Sequence, residues 1–383
     1  MSSPNNSSAG LEGDIDTILE GIQPPPELLA ALKPLPSYTV SDFLLVNAPS
    51  RLGSRKYFLE ASSWFSLEIP NDIPENIDNL ILPSEKLCEI LDGYLRKAAQ
   101  DGMNSVQHPV KIGVFLPLWV VRAWKWENVL VKKQKAWRTC IDWVRETAVE
   151  EGWSQSLREK VMATVMSTAW HSGYRGLQNG TVSTTTLALL LSDEWLDDER
   201  MDCIGDLIQA DMAALGVASS THMPSSYLAK AFDAPGKGST EKMWGEKLWS
   251  GVAKTLGMQY NVMNIHWISL EIDVANRTLN FGDSMPNVTA KSVPIVPNIQ
   301  SQVTHWLDHY LPKISWRTDL KGIKVPLQLD KKSFGIACSS ALHHRLIPSA
   351  PLWDPKKPGR SRAYYFCRCV ELGKGVSSIM IAH

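Results

Sequence analysis

The chain has 383 residues, 44% hydrophobic and 21% charged, and a formal net charge of -1. This is globular composition with room for two compact domains, and the near-neutral charge excludes a general affinity for nucleic acid or anionic membrane through bulk charge. The longest apolar runs, GVFLPLWVV at 113–121 and LALLL at 187–191, fall far short of the roughly 20 residues a membrane span needs.

The opening MSSPNNSSAG lacks the basic start and apolar stretch of a secretory signal. An intracellular protein, in nucleus or cytoplasm and without a membrane partner, is expected. The six cysteines, Cys88, Cys140, Cys203, Cys338, Cys367 and Cys369, have no CxxC spacing, which predicts free thiols and no structural zinc. No cofactor or metal is expected.

In chain order, residues 1–58 begin Ser/Asn-rich and pass through Pro24, Pro25, Pro26, Pro34 and Pro36, a composition that predicts a disordered tail. Pro83 and Ser84 open a predicted helix with Leu87, Ile90, Leu91, Tyr94, Leu95 and Ala98 on one face, closed by Gly102. Seven of the fifteen tryptophans lie between 119 and 170. There, the patterns Trp137/Cys140/Ile141/Val144/Ala148 and Val161/Met162/Val165/Met166/Ala169 predict two amphipathic helices, so 59–173 reads as a helical, Trp-rich leader. Lys125, Lys132, Lys133 and Lys135 are expected to be solvated charges beside an aromatic core; the alternative is a nucleic-acid surface.

From Tyr174 to 383 strand patterns alternate with single helices, and a second domain is expected. NVMNIHWISLEID, 261–273, reads as one central strand buried on both faces. A turn at Ala275, Asn276 and Arg277 leads into TLNFGDSM, a strand ending at Asp283. The hairpin would put the Asp283 carboxylate beside the His266 imidazole, where it can fix the tautomer and stabilise the charged ring. Gln328 precedes Phe334 and Gly335, where loop gives way to the helix GIACSSALHHRL. A side-chain amide near a helix N-terminus can donate to a developing oxyanion, and that terminus lowers the pKa of a thiol placed there.

Four landmarks in order, WLDD at 195–198, HW at 266–267, the aspartate of FGDSM at 283 and QLDKKSFG at 328–335, resemble the motifs of the ubiquitin-like-protein-specific, SUMO-type cysteine proteases of papain-like fold. The resemblance covers Tyr174 to Leu372. It implies an α+β, papain-like peptidase domain with His266 as general base, Asp283 as its orienter and Gln328 as oxyanion donor. It also implies that Trp195 and Trp267 wall a groove for the narrow diglycine tail of a ubiquitin-like modifier, with Asp198 as an acidic contact. The implied reaction is hydrolysis after a Gly-Gly carboxyl end by Cys-His-Asp chemistry.

This chain departs from the motif at Phe334, which stands at the nucleophile position, and a phenyl ring has no lone pair or ionisable group to attack with. Three readings stay open: a pseudoprotease that keeps its groove, decay or sequence error through a single-base change, and rescue by Cys338, one helical turn on. Non-catalytic binding of a modifier, and a mobile-element accessory protein whose leader contacts nucleic acid, are the alternatives to a peptidase. His305 and His309 have zinc-ligand spacing but no HExxH glutamate, and read as an exposed helix face. Cys367 and Cys369 read as packing residues.

Overall fold

The computed structural model describes residues 37–46, 60–75, 80–177, 180–232, 237–263, 265–285 and 295–380, with a few single positions before residue 36. Much of the expected 1–58 tail lies outside the described residues. The chain forms two compact units, Met1–Thr139 with Val165–Gly173, and Cys140–Thr164 with Tyr174–His383.

In the first unit, α1 (Val40–Phe43) is a single turn closed by a capping box between Thr39 and Asp42. Val40 and Phe43 are fully buried, Phe43 stacks on Trp170 at 4.1 Å, and Gln134 Nε2 donates to the carbonyls of Phe43 and Val46. This part of the expected tail is therefore core, because its capping box and two apolar side chains give it a local fold and a place to pack.

Strands β1 (Phe65–Ser66), β2 (Ser105–Gln107) and β3 (Phe115–Pro117) form a small antiparallel sheet, which the helical reading of the leader did not include. Helix α2 (Glu85–Gln100) is capped by Ser84 and followed by Gly102 at φ 78°, where a side chain would strain the backbone. Its Leu87, Cys88, Leu91, Leu95 and Ala98 are buried, whereas Ile90 points outward.

Helices α3 (Trp119–Glu150) and α4 (Gln155–Ser167) follow. Trp119, Trp124, Trp126, Trp137 and Trp170 are all buried, and Trp137 Nε1 donates to the Trp170 carbonyl. Lys125 pairs with Asp92 and Lys132 with Glu85, while Lys133 Nζ donates to His171 Nδ1. The rings are interior and three of the four lysines are engaged, so no exposed aromatic-lysine surface exists on these residues.

Residues 140–164, assigned from sequence to the leader, pack with the second unit. Trp143 Nε1 donates to Asp193 and the Glu151 carboxylate accepts from the Gly359 and Arg360 amides. This unit holds the ribbon of β4 (Gly173–Leu177) and β5 (Gly180–Ser183), then α5 (Thr184–Ala188), α6 (Asp198–Ala214), β6 (Thr221–His222) and α7 (Ser239–Trp249). Next come β7 (Thr255–Val262), β8 (His266–Asp273), β9 (Thr278–Gly282), α8 (Ile295–Tyr310), β10 (Arg317–Asp319), α9 (Phe334–Leu346) and α10 (Pro358–Met380).

The five-stranded sheet has the order β10-β9-β8-β7-β6, with the outer pairs parallel and the inner pairs antiparallel. The unit is α+β. Side chains alternate along each strand: Ile268, Leu270 and Ile272 join a core with Trp244, Leu248, Val303, Trp306 and Leu307 of α7 and α8. On the other face Gln259 Nε2 donates to Ser339 Oγ, Ser269 Oγ to the Cys338 carbonyl and Arg345 to Glu271, fixing α9 across β7 and β8.

The single strand expected over 261–273 is two. Asn261 and Val262 end β7, Met263 takes φ 54°, Ile265 N–H donates to the Val262 carbonyl, and β8 starts at His266. No glycine or proline marks this tight reversal, so the apolar run hides it. No helix among the described residues is long and apolar enough to cross a membrane.

Candidate functional site

A cleft of about 280 Å³ is lined by Trp195, Leu196, Asp197, Asp198, Asn261, Ile265, His266, Trp267, Lys332, Phe334 and Gly335. The loop before α6, the first residues of β8 and the N-terminus of α9 build it. Of the site residues expected from sequence, Trp195, Asp198, His266, Trp267 and Phe334 line it; Asp283 lies behind His266, and Gln328 is not a lining residue.

The β8–β9 hairpin runs in register with Ser269 opposite Gly282, so Asp283, one residue past β9, reaches the start of β8. His266 Nε2 lies 2.8 Å from Asp283 Oδ1, an oxygen that also accepts from the Met285 amide at 2.7 Å. A carboxylate only accepts, so Nε2 carries the proton and the lone pair of the neutral ring is on Nδ1. Both partners are nearly buried, at 8% and 10% side-chain exposure, where an ion-pair-like hydrogen bond is screened little by solvent.

Phe334 begins α9 and is 8% exposed. Its ring meets His266 edge to face, 4.8 Å between centroids at 83°, and Trp195 in the same manner at 5.8 Å and 79°. The Ser333 side chain makes no capping bond to the helix; its hydroxyl goes to Asp330 Oδ2 instead. Gly335 allows a close approach: a Cβ added there would lie 2.8 Å from Met201 Sδ and 3.1 Å from Leu196.

The two tryptophans differ. Trp195 is 52% exposed, whereas Trp267 is 5% exposed with Nε1 donating to the Leu196 carbonyl at 2.8 Å, so it braces the loop that presents Trp195. Asp198 accepts from Lys230 Nζ at 2.6 Å, and the charge that faces the cleft is a paired one.

Gln328 is held by hydrogen bonds to neighbouring residues. Its Oε1 accepts from Ser284 Oγ at 3.0 Å and its Nε2 donates to Asp330 Oδ1 at 2.8 Å, which turns the amide toward the loop. Asp330, unassigned from sequence, also accepts from the Lys332 and Ser333 amides. Burial alone would raise the Asp330 carboxyl, but these hydrogen bonds together outweigh it and hold the group below the usual carboxylate range.

Cys338 is 2% exposed and burial pushes its thiol up to about 12, so it is neither ionised at neutral pH nor a lining residue of the cleft. His305 and His309 lie on α8 and are exposed, and Cys367 and Cys369 are buried with thiols raised by that burial. Among the described residues no cluster of His, Cys, Asp and Glu could hold a metal ion.

Sequence reading missed Lys332, which lines the cleft and pairs with Asp193 at 2.6 Å, and Arg362, which lies beneath it. Arg362 occupies an otherwise apolar stripe of α10 with Phe366, Cys369 and Val370, a signal that marks a buried cation with a structural partner.

No family model matches the sequence, and no curated protein sequence matches it. Solved structures are similar in fold. The C-terminal Ulp1 protease domain in complex with Smt3, the yeast ortholog of SUMO, is 15% identical, with 57% of this chain and 95% of that one covered at a TM-score of 0.46. The Chaetomium thermophilum Ulp1-like SUMO protease catalytic domain is 12% identical over 57% of this chain and 89% of that one, TM-score 0.42. The Chlamydia trachomatis effector ChlaDUB1 is 17% identical over 50% and 89%, TM-score 0.30.

Proposed function

We propose that the second unit is a ubiquitin-like-protein peptidase domain of SUMO-protease type that holds the carboxyl tail of a modifier without cleaving it. The observation that carries this reading is the Phe334 ring packed 4.8 Å from the His266 ring while the His266–Asp283 bond is kept at 2.8 Å. A base and its orienter are in place, and the atom that would attack is replaced by carbon.

Acyl transfer by this class of site needs a thiolate to add to the carbonyl carbon and His266 to take and return the proton. Phe334 supplies no electron pair, and the thiol of Cys338 is buried and protonated. Binding is a separate matter. Trp195, Ile265 and the Phe334 edge give the cleft an apolar lining, and the helix N-terminus beside Gly335 favours a carboxylate. A glycine tail, which has no side chains, suits a cleft of about 280 Å³, and Trp195 is the exposed ring that would cover it.

The test is titration of the pure chain with a SUMO-type modifier ending in Gly-Gly, the same modifier lacking that dipeptide, and a modifier carrying a peptide beyond it. Saturable binding that needs Gly-Gly, falls about tenfold or more in Trp195→Ala, and yields no cleavage supports the reading. Cleavage by the parent chain, or binding indifferent to the tail, overturns it.

A further inference from the structure

We infer that Arg362, which does not itself line the cleft, is the positioning residue that sets its width; the inference rests on the proposed use of the cleft for a modifier tail. Arg362 is 2% exposed. Its Nη2 donates to the Glu194 carbonyl at 2.8 Å and to the Lys332 carbonyl at 3.0 Å, and Nη1 to the Leu190 carbonyl at 3.5 Å. The Glu194 carbonyl belongs to the peptide that joins Trp195, and the Lys332 carbonyl lies two residues before Phe334. One nitrogen therefore bridges the backbones of the two walls whose rings meet across the cleft at 5.8 Å.

The planar guanidinium fixes the directions of these bonds, as a flexible ammonium does not. Carbonyls that lose water on folding need such donors; the bond to Leu190 is buried and those to Glu194 and Lys332 are part-buried. The other ties between the walls differ in kind. The Lys332–Asp193 pair is 53% and 63% exposed, a class of contact that is weak and screened by salt. The close approach at Gly335 limits how near the walls can come and does nothing to stop them parting. Arg362 alone among these is buried, directional and tensile. Carboxylates of Asp193, Asp330 and Glu194 act on it from a distance, and its hydrogen bonds go to carbonyls, so it holds the backbone of the walls and engages none of their side chains directly.

The experiment compares the parent with Arg362→Met and Arg362→Lys in the full chain. Amide hydrogen exchange is followed at 195–198 and 333–336, with Ile268–Ile272 of β8 as internal reference, and affinity is measured for the modifier with and without Gly-Gly. Loss of the clamp should speed exchange of both cleft segments about tenfold while β8 stays protected. It should weaken binding of the Gly-Gly form about tenfold, with the lysine variant between parent and methionine. A variant that only melts at lower temperature, with both segments and the tail affinity unchanged relative to the reference strand, overturns the inference. Uniform loosening that includes β8 in both variants overturns it too, by making Arg362 a general core residue. If the parent binds no modifier, the functional reading fails and the exchange data still decide the clamp. If the methionine variant does not fold, the lysine variant carries the same comparison.

Discussion

The imidazole of His266 and the phenyl of Phe334 meet edge to face, 4.8 Å apart and 83° between planes. Such a pair is worth about 0.5–1.5 kcal/mol beyond burial, so the Phe334 ring stabilises the histidine it packs against. Because the His266–Asp283 bond survives beneath it, Phe334→Cys should gain an activity the parent lacks. A modifier carrying a C-terminal electrophile should label Phe334→Cys and leave the parent unlabelled. The added substitution His266→Ala should slow labelling by about 10²-fold. Labelling of the parent would place a reactive thiol elsewhere, against the burial of Cys338.

Gly335→Ala should be destabilising although alanine favours helices. Its methyl would press on Met201 Sδ and Leu196, at 2.8 and 3.1 Å, so side chains of α6 and of the loop before it would have to shift. Overpacking of this kind costs about 1–3 kcal/mol, read as a fall in thermal midpoint of several degrees. A neutral effect would mean that α9 shifts along β8 easily.

Asp330→Ala should cost about 1–2 kcal/mol by removing the acceptor for the Lys332 and Ser333 amides. The effect has a pH signature. The folded carboxyl is held below its usual range, so its stabilisation is complete above the unfolded value of about 3.9 and is lost as pH falls through the folded one. The difference between parent and variant in urea midpoint should stay constant from about pH 7 to pH 5 and shrink below about pH 4.

Burial, aided by Lys133, lowers the pKa of His171 to about 4, and Lys133 Nζ donates to its Nδ1 at 2.8 Å. The unfolded ring titrates near 6.5, so the unfolded chain binds the extra proton first. The contribution of this group is full above about pH 6.5 and declines as pH falls toward about 4. His171→Gln should flatten the pH dependence of the first unit's unfolding over that window, and an unchanged slope would assign it to another group.

Phe43→Ala should cost about 3–5 kcal/mol, because Phe43 is fully buried and stacked on Trp170 at 4.1 Å. Denaturant unfolding of the first unit is the check, and a loss under about 1 kcal/mol would show that the segment at 39–46 docks weakly.

The hairpin that brings Asp283 beside His266 was legible in the sequence, since the turn at Ala275–Arg277 fixes a local reversal between two apolar runs. The sequence also marked the start of α9 and put a phenylalanine there, because residue identity at 334 needs no coordinates. Tertiary structure decided what holds Gln328: its side chain meets Asp330 and also Ser284, 44 residues away in the chain. It separated exposed Trp195 from buried Trp267, residues of one type whose difference lies in which backbone carbonyl each can reach. It brought 39–46 into the first unit, where Trp170 and Gln134 supply the partners. It also placed Arg362 under both cleft walls. Local periodicity encodes which face of a helix is apolar, but the carbonyls at 194 and 332 become neighbours only when three segments pack together, and a buried guanidinium is meaningful only once they do.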